Sequence, residues 1–257
     1  MEKRNEFINL NGHIVPKPEG VDYSLAPNKI YTLMYSRQDG DLFIEESKDF
    51  EFPKVYYQTN KDKKFVKRVL DTYKKTEKLT TGVLLSGLKG SGKTLMSKWI
   101  ANESNLPVIV IDSSVCSEDI EGFFAKINTD VCVVFDEIDK YWNTRYLLGF
   151  LDGVKPSCKK LVICTCNDEK EIDKYLNDRC SRIRYKKTFD SLNKDVVAGI
   201  INDVIKDKTK ADAAAEYCMT AMSVVSHDNV IIFAEEVKNN PKDSFDEIIS
   251  FLNISKK

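Results

Sequence analysis

Short apolar runs alternate with segments of helical spacing through the middle of the chain. From residue 81 onward these runs and segments are Val83–Ser86, Thr94–Glu103, Val108–Ile111, Glu118–Ile127, Val131–Phe135, Arg145–Leu151, Leu161–Thr165, Lys170–Leu176 and Ile183–Tyr185. Short continuous apolar runs favour strands that are buried on both faces, because a half-exposed strand would alternate apolar and polar residues. The pattern predicts an α/β fold in which helices cover a parallel sheet.

The first 60 residues predict a β-rich module ahead of this sheet. Strand-like runs at Ile30–Tyr35 and Asp41–Ile44 flank an Asp-Gly pair, which is typical of a hairpin turn. Residues 62–78 then change to helical spacing. We therefore expect an N-terminal β-rich module over residues 1–60 and an α/β core over residues 61–188.

Beyond the core, strand-like runs stop and amphipathic spacing takes over. Val196–Ile205 and Val230–Val237 each place apolar residues on one helical face. Ser244 followed by Glu247 is a capping-box signature, which marks the start of another helix. Residues 189–257 are therefore expected to form a small helical bundle.

Composition and charge exclude several classes of protein for this chain. Hydrophobic residues make up 42% and charged residues 31% of the 257 residues, which excludes a disordered chain. The net charge of −1 gives no global attraction to nucleic acid or an anionic membrane, although a local basic patch is compatible with it. No apolar run approaches the roughly 20 residues that span a bilayer, so we expect no membrane partner.

The number of cysteines and the amino-terminal residues predict the cellular compartment of the protein. The first residues lack the apolar run of a secretory signal, and seven cysteines are an odd number for a disulfide framework. We expect a cytoplasmic protein, or one of the host cytoplasm if the chain is viral. Cys164 and Cys166 lie inside an apolar run, so they are expected to be buried thiols and not metal ligands.

A glycine-rich loop after the first predicted core strand matches the phosphate-binding pattern G-x-x-x-x-G-K-[ST]. Its residues, with the leucine that follows, are Gly87, Leu88, Lys89, Gly90, Ser91, Gly92, Lys93, Thr94 and Leu95. Because the loop opens a helix, its backbone N–H groups would curl around phosphate oxygens. Lys93 would neutralise phosphate charge and the Thr94 hydroxyl would bind Mg²⁺, which predicts ATP and Mg²⁺ as cofactors. The alternative is a glycine-rich turn with an incidental lysine and threonine.

Two acids follow the apolar run Val131–Phe135. A carboxylate at the end of a buried strand is costly unless a ligand or a metal uses it. We interpret the pair as a Walker B element, in which Asp136 holds Mg²⁺ and Glu137 orients or deprotonates the attacking water. The alternative is that both acids begin an exposed loop. Asn167 ends a further core strand, where its amide could bond the γ-phosphate or the water, although asparagine is also common in loops.

The order of these motifs resembles the AAA+ ATPase family over roughly residues 53–257. The resemblance implies that Asn167 is the family's sensor 1. It also implies that Arg179 and Arg182, in an R-x-x-R pattern, are arginine fingers that reach the γ-phosphate of a neighbouring subunit. A planar, permanently charged guanidinium suits the negative charge of phosphoryl transfer. Cys180-Ser181 stands where the family usually has Pro-Gly, and a basic surface turn is the alternative.

Further features refine the resemblance. The segment 149–153 resembles the L-x-x-L-D-G segment of AAA proteins, including the Bcs1-like branch, and residues 189–257 would be the family's lid. The absence of arginine from residues 189–257 departs from clamp-loader and initiator types, which have a sensor 2 arginine. The chain is also similar to small AAA-type ATPases found in bacteriophage genomes. The resemblance implies a homo-oligomeric ring, such as a hexamer, with a protein partner.

The sequence motifs predict ATP hydrolysis but do not name the substrate. The loop after Val108–Ile111 lacks the aromatic-hydrophobic-glycine pore motif of AAA unfoldases. Residues 61–78 contain eight basic side chains against three acids, which could follow a nucleic-acid backbone or form a solvated helix face. Two hypotheses stay open. One is a motor that hydrolyses Mg·ATP at the subunit interfaces of a ring and remodels a protein or protein–nucleic acid assembly. The other is an ATP-dependent binding switch, such as a helicase or clamp loader in DNA replication.

Overall fold

A computed structural model describes most of the chain. The described residues are 7–10, 13–16, 24–36, 38, 40–52, 59–78, 80–112, 115, 120–141, 144, 146–152, 158–177 and 179–257. The strands are β1 (Phe7–Leu10), β2 (His13–Pro16), β3 (Ile30–Tyr35), β4 (Leu42–Ser47), β5 (Thr80–Gly87), β6 (Val108–Ile111), β7 (Val131–Phe135), β8 (Lys160–Cys166) and β9 (Ile183–Phe189). The helices are α1 (Asn60–Lys75), α2 (Lys93–Glu103), α3 (Ile120–Ala125), α4 (Ile138–Tyr141), α5 (Tyr146–Asp152), α6 (Lys174–Asn177), α7 (Lys194–Ile205), α8 (Lys208–Ala221), α9 (His227–Asn239) and α10 (Phe245–Phe251), and a 3-10 turn covers Glu169–Glu171.

The described strands form one nine-stranded sheet in the order β1-β2-β4-β3-β6-β7-β8-β5-β9. Its centre is parallel, since β3, β6, β7, β8 and β5 pair in that order with the same direction. Every residue of β7 and β8 is buried, as expected for parallel strands with both faces covered. The predicted α/β fold with a parallel sheet is confirmed.

The expected N-terminal hairpin is present, but its strands belong to the same sheet as the core. β3 and β4 pair antiparallel, and Tyr35 lies opposite Leu42 across the turn; Asp39 of that turn is outside the described residues. β3 also pairs in parallel with β6, where Ile30 lies opposite Val108. The strands of residues 1–60 therefore extend the central sheet. The physical reason is that β3 satisfies the backbone groups along one edge of β6, which would otherwise be an unpaired edge.

The chain divides into two compact units. The first contains Met1–Glu51, Lys64–Ser86 and Thr94–Thr188, and the second contains Phe52–Lys63, Gly87–Lys93 and Phe189–Lys257. The first unit holds the sheet and an apolar core in which Leu33 and Ile44 of the hairpin join Ile109 and Phe135. The hairpin and the parallel strands thus share one core.

The second unit has a core of its own, built from helices α7 to α10. Ser244 caps α10, because its side chain accepts a hydrogen bond from the Glu247 N–H at 3.2 Å, as the capping box predicts. Helix α8 was not expected from the sequence; it packs on α7 through small residues that include Ala211 and Ala215. Among the described residues, no helix has the length and apolar character that crossing a bilayer requires.

Candidate active site

The phosphate loop, residues 87–93, is a turn that requires glycine at several positions. Gly87, Gly90 and Gly92 have φ angles of 126°, 71° and 96°, which L side chains rarely adopt. At Gly87 the backbone also passes so close to its neighbour that an added Cβ would lie 2.1 Å from the Phe189 carbonyl oxygen. The loop therefore has the tightly curled backbone, dependent on glycine, that is typical of anion-binding loops.

Lys93 and Ser91 supply the polar side chains of this loop. Lys93 is only 5% exposed, and its Nζ donates hydrogen bonds to the carbonyl oxygens of Gly87 and Leu88, each at 2.8 Å. The Ser91 hydroxyl is buried and has no hydrogen-bond partner within the described parts of the chain. Leu88 and Lys89 are exposed, and Leu95 is half-buried in the first turn of α2. The buried ammonium of Lys93 and the unpartnered, buried hydroxyl of Ser91 lie in a curled backbone. Both groups fit the oxygens of a nucleotide's phosphates.

The acidic end of β7 lies in the first unit and is built around Asp136. The parallel register places Phe135 opposite Cys164, so Asp136 comes to lie beside Thr165. The hydroxyl of Thr165 donates to Asp136 Oδ1 at 2.5 Å, and the hydroxyl of Thr94 donates to the same oxygen at 3.2 Å. The two residues predicted to bind Mg²⁺, Thr94 and Asp136, are therefore in direct contact. A hydroxyl and a carboxylate oxygen are the hard ligands that Mg²⁺ prefers.

Glu137 is held in an uncommon backbone conformation. Its φ is 49°, in the left-handed region that costs a non-glycine residue energy and that occurs often at functional sites. Its N–H donates to Thr165 Oγ1 at 2.8 Å, which fixes the turn after β7. Its Oε1 accepts hydrogen bonds from Asn167 Nδ2 at 3.0 Å and from Lys140 Nζ at 2.7 Å. The predicted base and the predicted sensor 1 amide are thus joined by a hydrogen bond.

Two further residues of this network were missed by the sequence analysis. Thr165 uses its hydroxyl both as donor to Asp136 and as acceptor for the Glu137 N–H. Asp139 Oδ2 accepts hydrogen bonds from the backbone N–H groups of Asn167, at 2.9 Å, and Asp168, at 3.1 Å, and so fixes the chain around Asn167. The sequence contains a signal for each: a threonine inside the apolar run of β8, and a third acid two positions after Glu137.

The two predicted arginine fingers have different surroundings. Arg182 is 7% exposed, and its Nε and Nη2 donate to the two carboxylate oxygens of Asp152 at 2.7 and 2.5 Å. Its Nη1 donates to the Tyr175 carbonyl oxygen at 2.7 Å. These hydrogen bonds hold the pKa of the Asp152 carboxyl below its ordinary value. Arg179 is exposed. The structure thus brings Thr94, Asp136, Glu137 and Asn167 together, whereas Arg182 bonds to Asp152 at the end of α5.

Comparisons with known proteins concern the family and the fold of the chain. Residues 83–188 match the family described as "ATPase family associated with various cellular activities (AAA)". The chain is 26% identical over 197 residues to the ATP-dependent zinc metalloprotease YME1L1 of Mus musculus, an alignment that covers 67% of this chain and 26% of that protein. It is 27% identical over 219 residues to the ATP-dependent zinc metalloprotease FtsH of Leptotrichia buccalis, which covers 72% of this chain and 28% of that protein. The chain therefore spans little more than a quarter of the length of these relatives.

A solved structure shows the same fold. The RuvB Holliday junction branch migration motor of Thermotoga maritima superposes with a TM-score of 0.56 at 17% identity. The superposition covers 75% of this chain and 68% of that one. At this identity the likeness concerns the fold.

Proposed function

Because residues 83–188 of this chain carry an AAA ATPase domain, we propose that the protein is an AAA+ ATP hydrolase. It would work as a homo-oligomeric ring that hydrolyses Mg·ATP at its subunit interfaces and remodels a protein or protein–nucleic acid assembly. The observation that supports this most is the hydrogen-bonded set Thr94, Asp136, Glu137 and Asn167. Asp136, Glu137 and Asn167 follow the carboxyl ends of the parallel strands β7 and β8, and Thr94 lies in the first turn of α2. Those strand ends are where ligands bind in open α/β sheets.

Each residue of the set has a chemical task in hydrolysis. Thr94 and Asp136 would hold Mg²⁺, which neutralises charge on the phosphates when it is bound. Glu137 would accept a proton from the attacking water, and Asn167 would orient the Glu137 carboxylate through the 3.0 Å hydrogen bond. Lys140 forms an ion pair with the same carboxylate oxygen at 2.7 Å. In this proposal the chain's own groups would supply the positioning and the base that hydrolysis needs.

The decisive experiment replaces Glu137 by glutamine. The Glu137→Gln variant should lose at least about a hundredfold in ATP turnover, because a positioned general base contributes that much or more. It should still bind Mg·ATP, because the phosphate loop and the Mg²⁺ ligands are unchanged. Turnover is measured as phosphate release, and binding is measured by titration with a fluorescent ATP analogue.

A matched control makes the outcome specific. Glu77 is exposed after the end of α1, so Glu77→Gln makes the same chemical change away from the site. This control should hydrolyse ATP at the wild-type rate. Normal turnover in Glu137→Gln would contradict the assignment of the base, and absence of ATP binding by the wild-type protein would contradict the proposed function as a whole.

A second candidate function is the ATP-dependent binding switch on single-stranded DNA. The observation that favours it is the solvent face of α1, which we call the basic face. It contains the exposed side chains of Lys61, Lys63, Lys64, Lys67, Arg68, Lys74 and Lys75. The opposite face of α1 is buried through Val66, Val69, Leu70 and Tyr73. A row of exposed lysine and arginine side chains on one helix face fits the phosphate backbone of single-stranded DNA.

A further inference from the structure

The phosphate loop packs within the helical unit of the protein. Residues Gly87–Lys93 and Phe189–Lys257 belong to the same compact unit. The Leu88 N–H donates to the Phe189 carbonyl oxygen at 3.1 Å, and the His227 N–H donates to the Gly90 carbonyl oxygen at 3.0 Å. The loop backbone is therefore hydrogen-bonded to the segment Phe189–Lys257 at two residues, Phe189 and His227. His227 is the first residue of α9.

The side chains at the start of α9 fill the space beside the loop glycines. A Cβ added to Gly92 would lie 3.3 Å from Cδ2 and 3.6 Å from Nε2 of His227, so the imidazole packs directly on this glycine. A Cβ added to Gly90 would lie 2.7 Å from Asp228 Oδ2 and 3.2 Å from Ser226 Oγ. Three consecutive residues thus contact the two glycines whose positive φ angles shape the loop.

The position of His227 is fixed by the cap of its helix. Ser226 is buried and accepts a hydrogen bond from the Asn229 N–H at 3.2 Å. Asn229 Nδ2 in turn donates to the Val224 carbonyl oxygen at 2.9 Å. Burial lowers the pKa of His227 below its ordinary value, against the opposing charges of Asp228 and Asp62, so the imidazole is neutral at pH 7. The neutral imidazole, held at the start of a capped helix, restricts the conformation of the loop.

We propose that His227 is a positioning residue for the ATP phosphates, which holds Gly90 and Gly92 in the turn whose N–H groups bind them. The proposal rests on the proposed function, because it concerns the same phosphate loop. A glycine-rich loop loses conformational entropy when it closes on an anion. A side chain that already restricts the loop lowers this cost, and the gain appears as nucleotide affinity. His227 acts through the loop and does not touch the reacting atoms.

The test compares His227→Ala with a conservative variant. His227→Ala should raise the Kd for Mg·ADP and the KM for ATP about tenfold, with kcat within about twofold of wild type, because the loop is mispositioned while the base is intact. His227→Phe keeps a planar ring against Gly92, so its Kd should stay within about threefold of wild type. The control is His13→Ala, which removes the other of the two histidines and lies on β2. It should leave Kd and KM unchanged.

A spectroscopic measurement on the wild-type protein covers the case in which His227→Ala does not fold. With only two histidines in the chain, the imidazole NMR signals are assigned by the His13→Ala variant. Saturating Mg·ADP should shift the His227 ring signals and leave those of His13 in place. An unmoved His227 signal, or a Kd of folded His227→Ala within twofold of wild type, overturns the proposal. Wild-type protein that binds neither ADP nor ATP contradicts the proposed function itself, so the two failures are distinguishable.

Discussion

The two arginines of the R-x-x-R segment are the same residue type but are expected to respond differently to substitution. Arg182→Ala should lower the free energy of unfolding by about 2 kcal/mol, because it leaves the Asp152 carboxylate and the Tyr175 carbonyl without their charged donor. Arg179→Ala should change it by less than about 0.5 kcal/mol, because Arg179 is exposed. Urea unfolding of the nucleotide-free protein measures both values, and Arg179→Ala serves as the matched control.

The pH dependence of this difference identifies its cause. The hydrogen bonds from Arg182 lower the pKa of Asp152 below its ordinary value of 3.8. A group whose pKa is lowered in the folded state stabilises the protein above its unfolded value, and this contribution is lost as the pH falls through the folded value. The difference in the free energy of unfolding between wild type and Arg182→Ala should therefore be constant near neutral pH and shrink below about pH 4. A gap that persists in acid would mean that lost packing, and not the ion pair, destabilises the variant.

At the element scale, the basic face of α1 can be tested by charge reversal. The triple variant Lys67→Glu, Arg68→Glu and Lys74→Glu should weaken ATP-dependent retention on single-stranded DNA at least about tenfold, with a smaller salt dependence, since each lost phosphate contact reduces the slope by about 0.7. The control reverses Lys208, Lys238 and Lys242, which are exposed in the second unit. Equal retention of both variants, or equal retention with and without ATP, would argue against the switch.

The elements also show what a single sequence can predict. β6 and β7 begin and end at the predicted residues because each is an unbroken apolar run. Helix α8 was missed because its buried face consists of Ala211, Ala214, Ala215 and Cys218, which give little hydrophobic contrast. The helix expected over Lys170–Leu176 is a 3-10 turn followed by the short α6. Weakly patterned segments take their structure from their neighbours, which the local sequence does not contain.

Some features of the candidate site could also be predicted from the sequence, and others could not. The phosphate loop and the Asp136-Glu137 pair were predicted because each motif is contiguous in sequence. The role of Thr165 depends on the register of β7 against β8, since a shift of one residue would turn its hydroxyl to the other face of the sheet. The pairing of Arg182 with Asp152 joins residues 30 positions apart, and sequence spacing does not predict it. Contacts between elements are thus the part that required the structure.

At the scale of the whole molecule, the remaining question is whether the chain assembles. Arg182 is engaged with Asp152, whereas the exposed Arg179 has the guanidinium that a neighbouring subunit's phosphates would meet in the proposed ring. The Glu137→Gln variant should retain ATP, so it should hold any nucleotide-dependent assembly in place. Mass photometry of this variant should show a discrete oligomer of the 29.4 kDa chain with Mg·ATP and the single chain without nucleotide.

Two further variants decide which residues such an assembly depends on. Adding Arg179→Ala to Glu137→Gln should abolish the oligomer while leaving ATP binding intact, because the substitution lies outside the phosphate loop. Adding Lys93→Ala should abolish both, since the loop loses its buried ammonium. A single chain under all conditions would contradict the ring, and action of Arg179 in trans would then be wrong as well. ATP would in that case have to act within one chain, where Glu137 and Asn167 are already joined, and the binding switch would become the better account of the site.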